Sequence, residues 1–130
     1  NLLATLLLIS TVSSSASEQN LYFHLHQAYE FLEAYKKDRC PSAKKQIKQH
    51  LIQSDVELEK TMTPAFQKSH SSLFESELQT LWRMFNTIDT ISFAQIEAIR
   101  SDIQNKADLV KLKHVAEWHR EIRQCLPLSQ

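Results

Sequence analysis

The side chains that could do chemistry here are few and poorly spaced for it. Six histidines stand in the 130-residue chain, and imidazole is a common ligand for transition metals. His24 and His26 are two apart, which on a helix points them to different faces. His114 and His119 are five apart in HVAEWH, not the spacing that puts two zinc ligands and a glutamate base on one helix face. The histidines are expected at solvated or edge positions, with no metal site. No serine stands in a nucleophile context, and the carboxylates are spread along charged stretches. Glycine is absent altogether, which excludes the phosphate-cradling loops, the dinucleotide fingerprint and the nucleophile elbow. The expectation is a protein that is not an enzyme, with no catalytic residue and no cofactor.

The cysteines point to structure instead. Leu2 to Ile9 is an almost unbroken apolar run, followed by STVSSSAS, with small Ser14 and Ala16 at the positions a signal peptidase needs. Residues 1–16 read as an N-terminally truncated signal peptide and residues 17–130 as a single helical domain. A membrane anchor is the alternative, but the run is about half the roughly 20 residues a span requires. Secretion places Cys40 and Cys125 in an oxidising compartment, where two cysteines allow one pairing. The expected role of that disulfide is a staple rather than a catalytic thiol.

Charge is balanced overall, 15 Lys and Arg against 15 Asp and Glu. Nothing global therefore favours nucleic acid or an anionic membrane. Locally, Lys36, Lys37, Arg39, Lys44, Lys45 and Lys48 meet only Asp38 between positions 36 and 48. Such a basic pole either meets an acidic partner surface or a sulfated polymer, or is simply a solvated helix end. It is the candidate partner-binding site.

The elements that carry these residues are all helical: no glycine, three prolines and 23% charge leave little material for hairpins. In LYFHLHQAYEFLEAYKKDRCP, Leu21, Leu25, Ala28, Leu32 and Tyr35 fall on one stripe, with Phe23 and Phe31 flanking it. Pro41 ends this helix near Asp38 or Arg39. A second helix, with a weak apolar face of Ile47, Leu51, Leu58 and Met62, runs from Ser42 to about Lys60. Thr63-Pro64 and the SHSS of residues 69–72 break the chain. Ser72 and Glu75 form a capping box that opens a third helix to about Asp89, whose stripe Phe74, Leu78, Leu81, Phe85 and Ile88 is the strongest and is expected at the centre of the core. Ser92 and Gln95 form a second capping box, and a helical pattern then runs to Arg123.

The fold class expected is all-α, a compact bundle of four to five helices closed by one disulfide. In a simple up-down bundle Cys40 and Cys125 would lie a helix length apart, beyond the roughly 7 Å between Cα atoms that a disulfide tolerates. Either the fourth helix breaks near Asn105 to Asp108, or the turn of residues 63–72 changes the parity. The break is the preferred solution.

LYFHLHQAYEFLEAYKKDRC and the WRMFNTID segment resemble the anopheline mosquito salivary family of anophensin and albicin. The resemblance covers residues 17–130 in general character and spacing, without a diagnostic motif, and transfers no site residue. It implies a secreted, monomeric inhibitor that binds host plasma proteins and suppresses a proteolytic defence cascade. The first cascade implied is the alternative complement pathway, through its convertase components; the second is the kallikrein–kinin contact system, through contact factors. Two rival readings stand beside it. One is a helical-bundle, cytokine-like ligand, which typically needs longer crossovers than this chain has. The other is a small-ligand carrier with Phe74, Trp82, Phe85 and Trp118 lining a cavity, although such stripes more often fill a core.

Overall fold

The structure is a computed structural model that describes residues 16–60, 72–109 and 118. The chain enters through α1, Ala16–Lys36, and returns along α2, Ala43–Lys60. Then follow α3, Ser72–Asn86, the short α4, Phe93–Glu97, and α5, Arg100–Leu109. All the described secondary structure is helical, and no described helix is long and apolar enough to cross a membrane. Residues 1–15 of the expected signal peptide, the Thr63-Pro64 stop and Cys125 lie outside the described residues, while Ala16, its expected last residue, opens α1.

The topology is up-down-up-down, and side-chain contacts at three levels fix it. At the elbow between α1 and α2, Asp89, just beyond α3, meets Tyr35 and Lys44, and Lys37 lies over the ring of Phe93 at the start of α4. One to two turns below the elbow on α1, Arg100 at the start of α5 pairs with Glu33 and donates to the Tyr29 hydroxyl at 3.2 Å. At the far end, the ring of Phe74 in α3 stands edge-on to Tyr22 at 6.2 Å. There Lys106 of α5 pairs with Glu77 of α3. Thus α1 and α3 run one way and α2 and α4–α5 the other.

The centre of the bundle is α1, not α3. It touches each of the other described helices, and it buries Leu21, Tyr22, Leu25, Ala28, Tyr29, Phe31, Leu32 and Ala34 together with Gln27 and Glu33. A single apolar stripe would give one dry face, but these residues circle the helix, as expected for a helix covered on all sides. The α3 stripe is apolar as read: Phe74, Leu78, Leu81 and Ile88 are buried and Phe85 half-buried. It supplies one wall. On α2, Ile52 and Val56 remain exposed, in keeping with its weak apolar face.

The expected break near Asn105 to Asp108 is not there. Helix α5 runs through those residues to Leu109, and the interruption lies at Ala98–Ile99. The Ile99 N–H bonds the Ile96 carbonyl at 3.2 Å, a tightened i→i−3 turn, and the Ile103 N–H bonds Ile99 at 3.1 Å to restart the α-pattern. The tight turn keeps both Ile96 and Ile103 in the core. Neither solution offered for the disulfide holds within the described residues. Helices α2 and α3 run antiparallel, as in a plain bundle, and α4–α5 descends without reversing as far as Leu109. The Ser92 capping box is present as read: the Gln95 N–H donates to Ser92 Oγ at 3.2 Å, and the Ser92 N–H donates to Gln95 Oε1 at 2.8 Å. The Ser72 box falls where side chains are not described.

Candidate functional site

The basic residues singled out in the sequence come together at the elbow. Lys36 lies in the last turn of α1, Lys37 and Arg39 in the connection, and Lys44, Lys45 and Lys48 in the first half of α2. Lys36 is half-buried and the other five are exposed. Cations at the C-terminal end of α1 meet its negative dipole end, so part of the cluster serves the helix. Those on the first turns of α2 lie at the wrong end for that role.

The elbow also has an unusual backbone. Arg39 takes φ 51°, the left-handed conformation in which glycine usually terminates a helix. A glycine-free chain must place another residue there. The turn is held by the Cys40 N–H, which reaches the Ala34 carbonyl at 3.1 Å. Cys40 is fully buried, with Ser42 Oγ 3.4 Å from its Sγ, and no free cysteine occurs among the described residues. Left-handed geometry costs a residue with a Cβ roughly 1–2 kcal/mol. Arg39→Gly is therefore expected to stabilise the fold by about 0.5 kcal/mol or more after the extra freedom glycine gives the unfolded chain, visible as a higher melting temperature.

Asp89 joins this pole, which the sequence did not foretell. Its carboxylate accepts a hydrogen bond from the Tyr35 hydroxyl at 2.9 Å and lies 3.6 Å from Lys44 Nζ. The tyrosine bond first, then the lysine charge, holds the Asp89 carboxyl below the usual carboxylate range, while the same bond raises Tyr35. The pole is thus partly neutralised on its α3 side. Lys45 and Lys48 carry its remaining charge along α2, and Lys37 lies over the Phe93 ring at 5.6 Å. Below it, a cleft of about 450 Å³ is lined by Lys37, Glu97, Arg100, Ser101 and Gln104.

Sequence reasoning missed the polar groups that line α1. Arg100 is locked to Glu33 and Tyr29, and burial raises the Tyr29 hydroxyl to about 12. Burial, with Arg100 nearby, keeps His26 below its ordinary value, and its Nε2 lies 3.7 Å from Glu30. His24, half-buried, and His50, buried, bring their Nδ1 atoms to 2.9 Å at the edge of a cleft. The aromatic residues considered for a ligand cavity pack into two groups. Phe74 and Trp118 each contact Tyr22, and Trp82 stands edge-on to Phe85. The Trp82 Nε1–H is held by Asp55 at 3.2 Å. They serve as core and wall.

The chain matches no protein-family model, no curated protein and no solved structure.

Proposed function

We propose that this protein is a secreted, salivary-type inhibitor that binds host plasma proteins and suppresses a proteolytic defence cascade, the alternative complement pathway first. The reading rests on the resemblance of the α1 segment and of WRMFNTID. The observation in the fold that carries it furthest is the exposed basic elbow, where Lys37, Arg39, Lys44, Lys45 and Lys48 project from two helix ends around a buried cysteine. Inhibition without a catalytic group works by covering a surface of the target, on the order of 800 Å² from each partner. A rigid helical elbow carrying several cations suits an acidic patch on such a target. Host immune evasion is the biological role this implies.

The proposal includes the Cys40–Cys125 disulfide. Trp118 packs against Tyr22, Phe23 and His26, near the end of α1 opposite Cys40. Cys125 follows seven residues later. An extended chain of that length reaches about 23 Å, enough to climb the roughly 15–20 Å of helix rise back to the elbow. The bond would fix the C-terminal segment against the basic pole and bring Arg120 and Arg123 toward it.

Lys44→Glu with Lys45→Glu tests the site. Both side chains are exposed, so the double variant should fold with an unchanged helical spectrum. Association with the plasma target should slow by on the order of tenfold at low salt, and its salt dependence should flatten, because exposed charges mainly steer encounter. A folded variant that associates at the parent rate at low salt would place the contact elsewhere.

A further inference from the structure

Two imidazoles on neighbouring helices stand in a relation that packing alone does not require. His24 of α1 and His50 of α2 place their Nδ1 atoms 2.9 Å apart, with ring centroids at 5.2 Å and a tilt of 37°. Both rings are braced. Phe31 stacks on His50 at 5.6 Å and 16°, while Phe23 meets His24 edge-on at 5.4 Å and His50 at 6.2 Å. The pair borders a cleft of about 310 Å³ to which α2 contributes Gln46, Gln49 and Gln53.

We propose that His24 and His50 bind a divalent transition-metal ion of the Ni²⁺ or Cu²⁺ type through their Nδ1 atoms. Imidazole nitrogens lie at about 2.0–2.1 Å from such ions, so two ligands at a right angle stand roughly 2.9 Å apart. The observed separation is already that of adjacent corners in the tetragonal geometry these ions prefer. A tetrahedral ion would need the rings to part by about a further 0.4 Å. Hard cations such as Ca²⁺ and Mg²⁺ are excluded by the nitrogen donors.

Without an ion, the same contact is a hydrogen bond in which one neutral ring carries its proton on Nδ1 and the other accepts. Metal binding moves this proton to Nε2 of the same ring, so two neutral imidazoles enter and no net proton leaves. Water would fill the remaining positions, in a cleft that Gln46, Gln49 and Gln53 also line. Protons compete for both nitrogens, so affinity falls as pH drops through the histidine range. The spacing analysis gave no sign of this site, since His24 and His50 are 26 residues apart and meet only through the α1–α2 elbow. The proposal is independent of the plasma-protein reading.

The test is calorimetric titration of Ni²⁺ into the full chain at neutral pH. The expected result is a saturable event of one equivalent. It should weaken at least about tenfold in His24→Gln and in His50→Gln, and persist in His26→Gln. Because His50 is buried and its variant could lose the fold, a second measurement uses the unaltered protein. Substoichiometric Ni²⁺ should broaden the imidazole proton resonances of His24 and His50 before those of the other histidines. No saturable binding, equal affinity in a folded His24→Gln variant, or first broadening at other histidines would each overturn the site.

Discussion

Replacing Cys40 and Cys125 together by serine is expected to lower the melting temperature by on the order of 15 °C. The bond would close most of residues 17–130 into one loop, and the chain-entropy estimate for so long a loop is roughly 4.5 kcal/mol. In a domain of this size each kilocalorie is worth about 4 °C. Cys40 has no solvent exposure and follows the strained Arg39 turn, so a serine there also buries a hydroxyl in place of the sulfur. Non-reducing mass analysis of the unaltered protein gives the companion readout: two thiols blocked against alkylation until reductant is added. Two freely alkylated thiols, or a double variant that melts with the parent, would remove the staple and leave the elbow held by packing alone.

The second large effect is expected at Phe31→Ala, a loss of about 3–5 kcal/mol. Phe31 is fully buried and stacks on His50, where α1 meets α2. The prediction separates two pictures of α1. If only the stripe of Leu21, Leu25, Ala28 and Leu32 faced the core, Phe31 would lie at its margin and its truncation would cost little. Since α1 is covered on all sides, the cavity would open between its two best-packed helices. Urea unfolding of the Phe31→Ala variant reads this directly. A change below about 1 kcal/mol would contradict the central position of α1.

What the sequence made legible was local. The Ser92 box could be read because its donors and acceptors lie within three residues of each other. Pro41 marked the elbow, and the α3 stripe reads correctly because four of its five members turned out buried. Where sequence failed, the cause lay in distance or in a missing signal. Nothing in FAQIEAIRS marks the tightened turn at Ala98–Ile99, for neither proline nor glycine is present. Asn105 looked like a breaker, yet an exposed asparagine costs a helix only part of a kilocalorie. Glu33 and Arg100 are 67 residues apart, and Tyr35 and Asp89 are 54 apart, so neither pairing could be foreseen. The basic elbow was visible because its six cations are nearly contiguous. Its neutralisation by Asp89 was not, because that carboxylate arrives from another helix.

The proposed inhibition of a plasma cascade by binding can be read directly in serum. Purified protein is titrated into serum in which only the alternative complement pathway can be activated, and convertase formation on the activating surface is followed. The contact system is read in parallel plasma by kallikrein activity. The expected result is saturable, dose-dependent loss of alternative-pathway convertase activity, with the Lys44→Glu/Lys45→Glu variant needing a higher dose at low salt. Inhibition of kallikrein generation alone would move the target to the contact factors. Serum and plasma that activate both cascades at the control rate, at protein concentrations well above those of the components, would contradict the account.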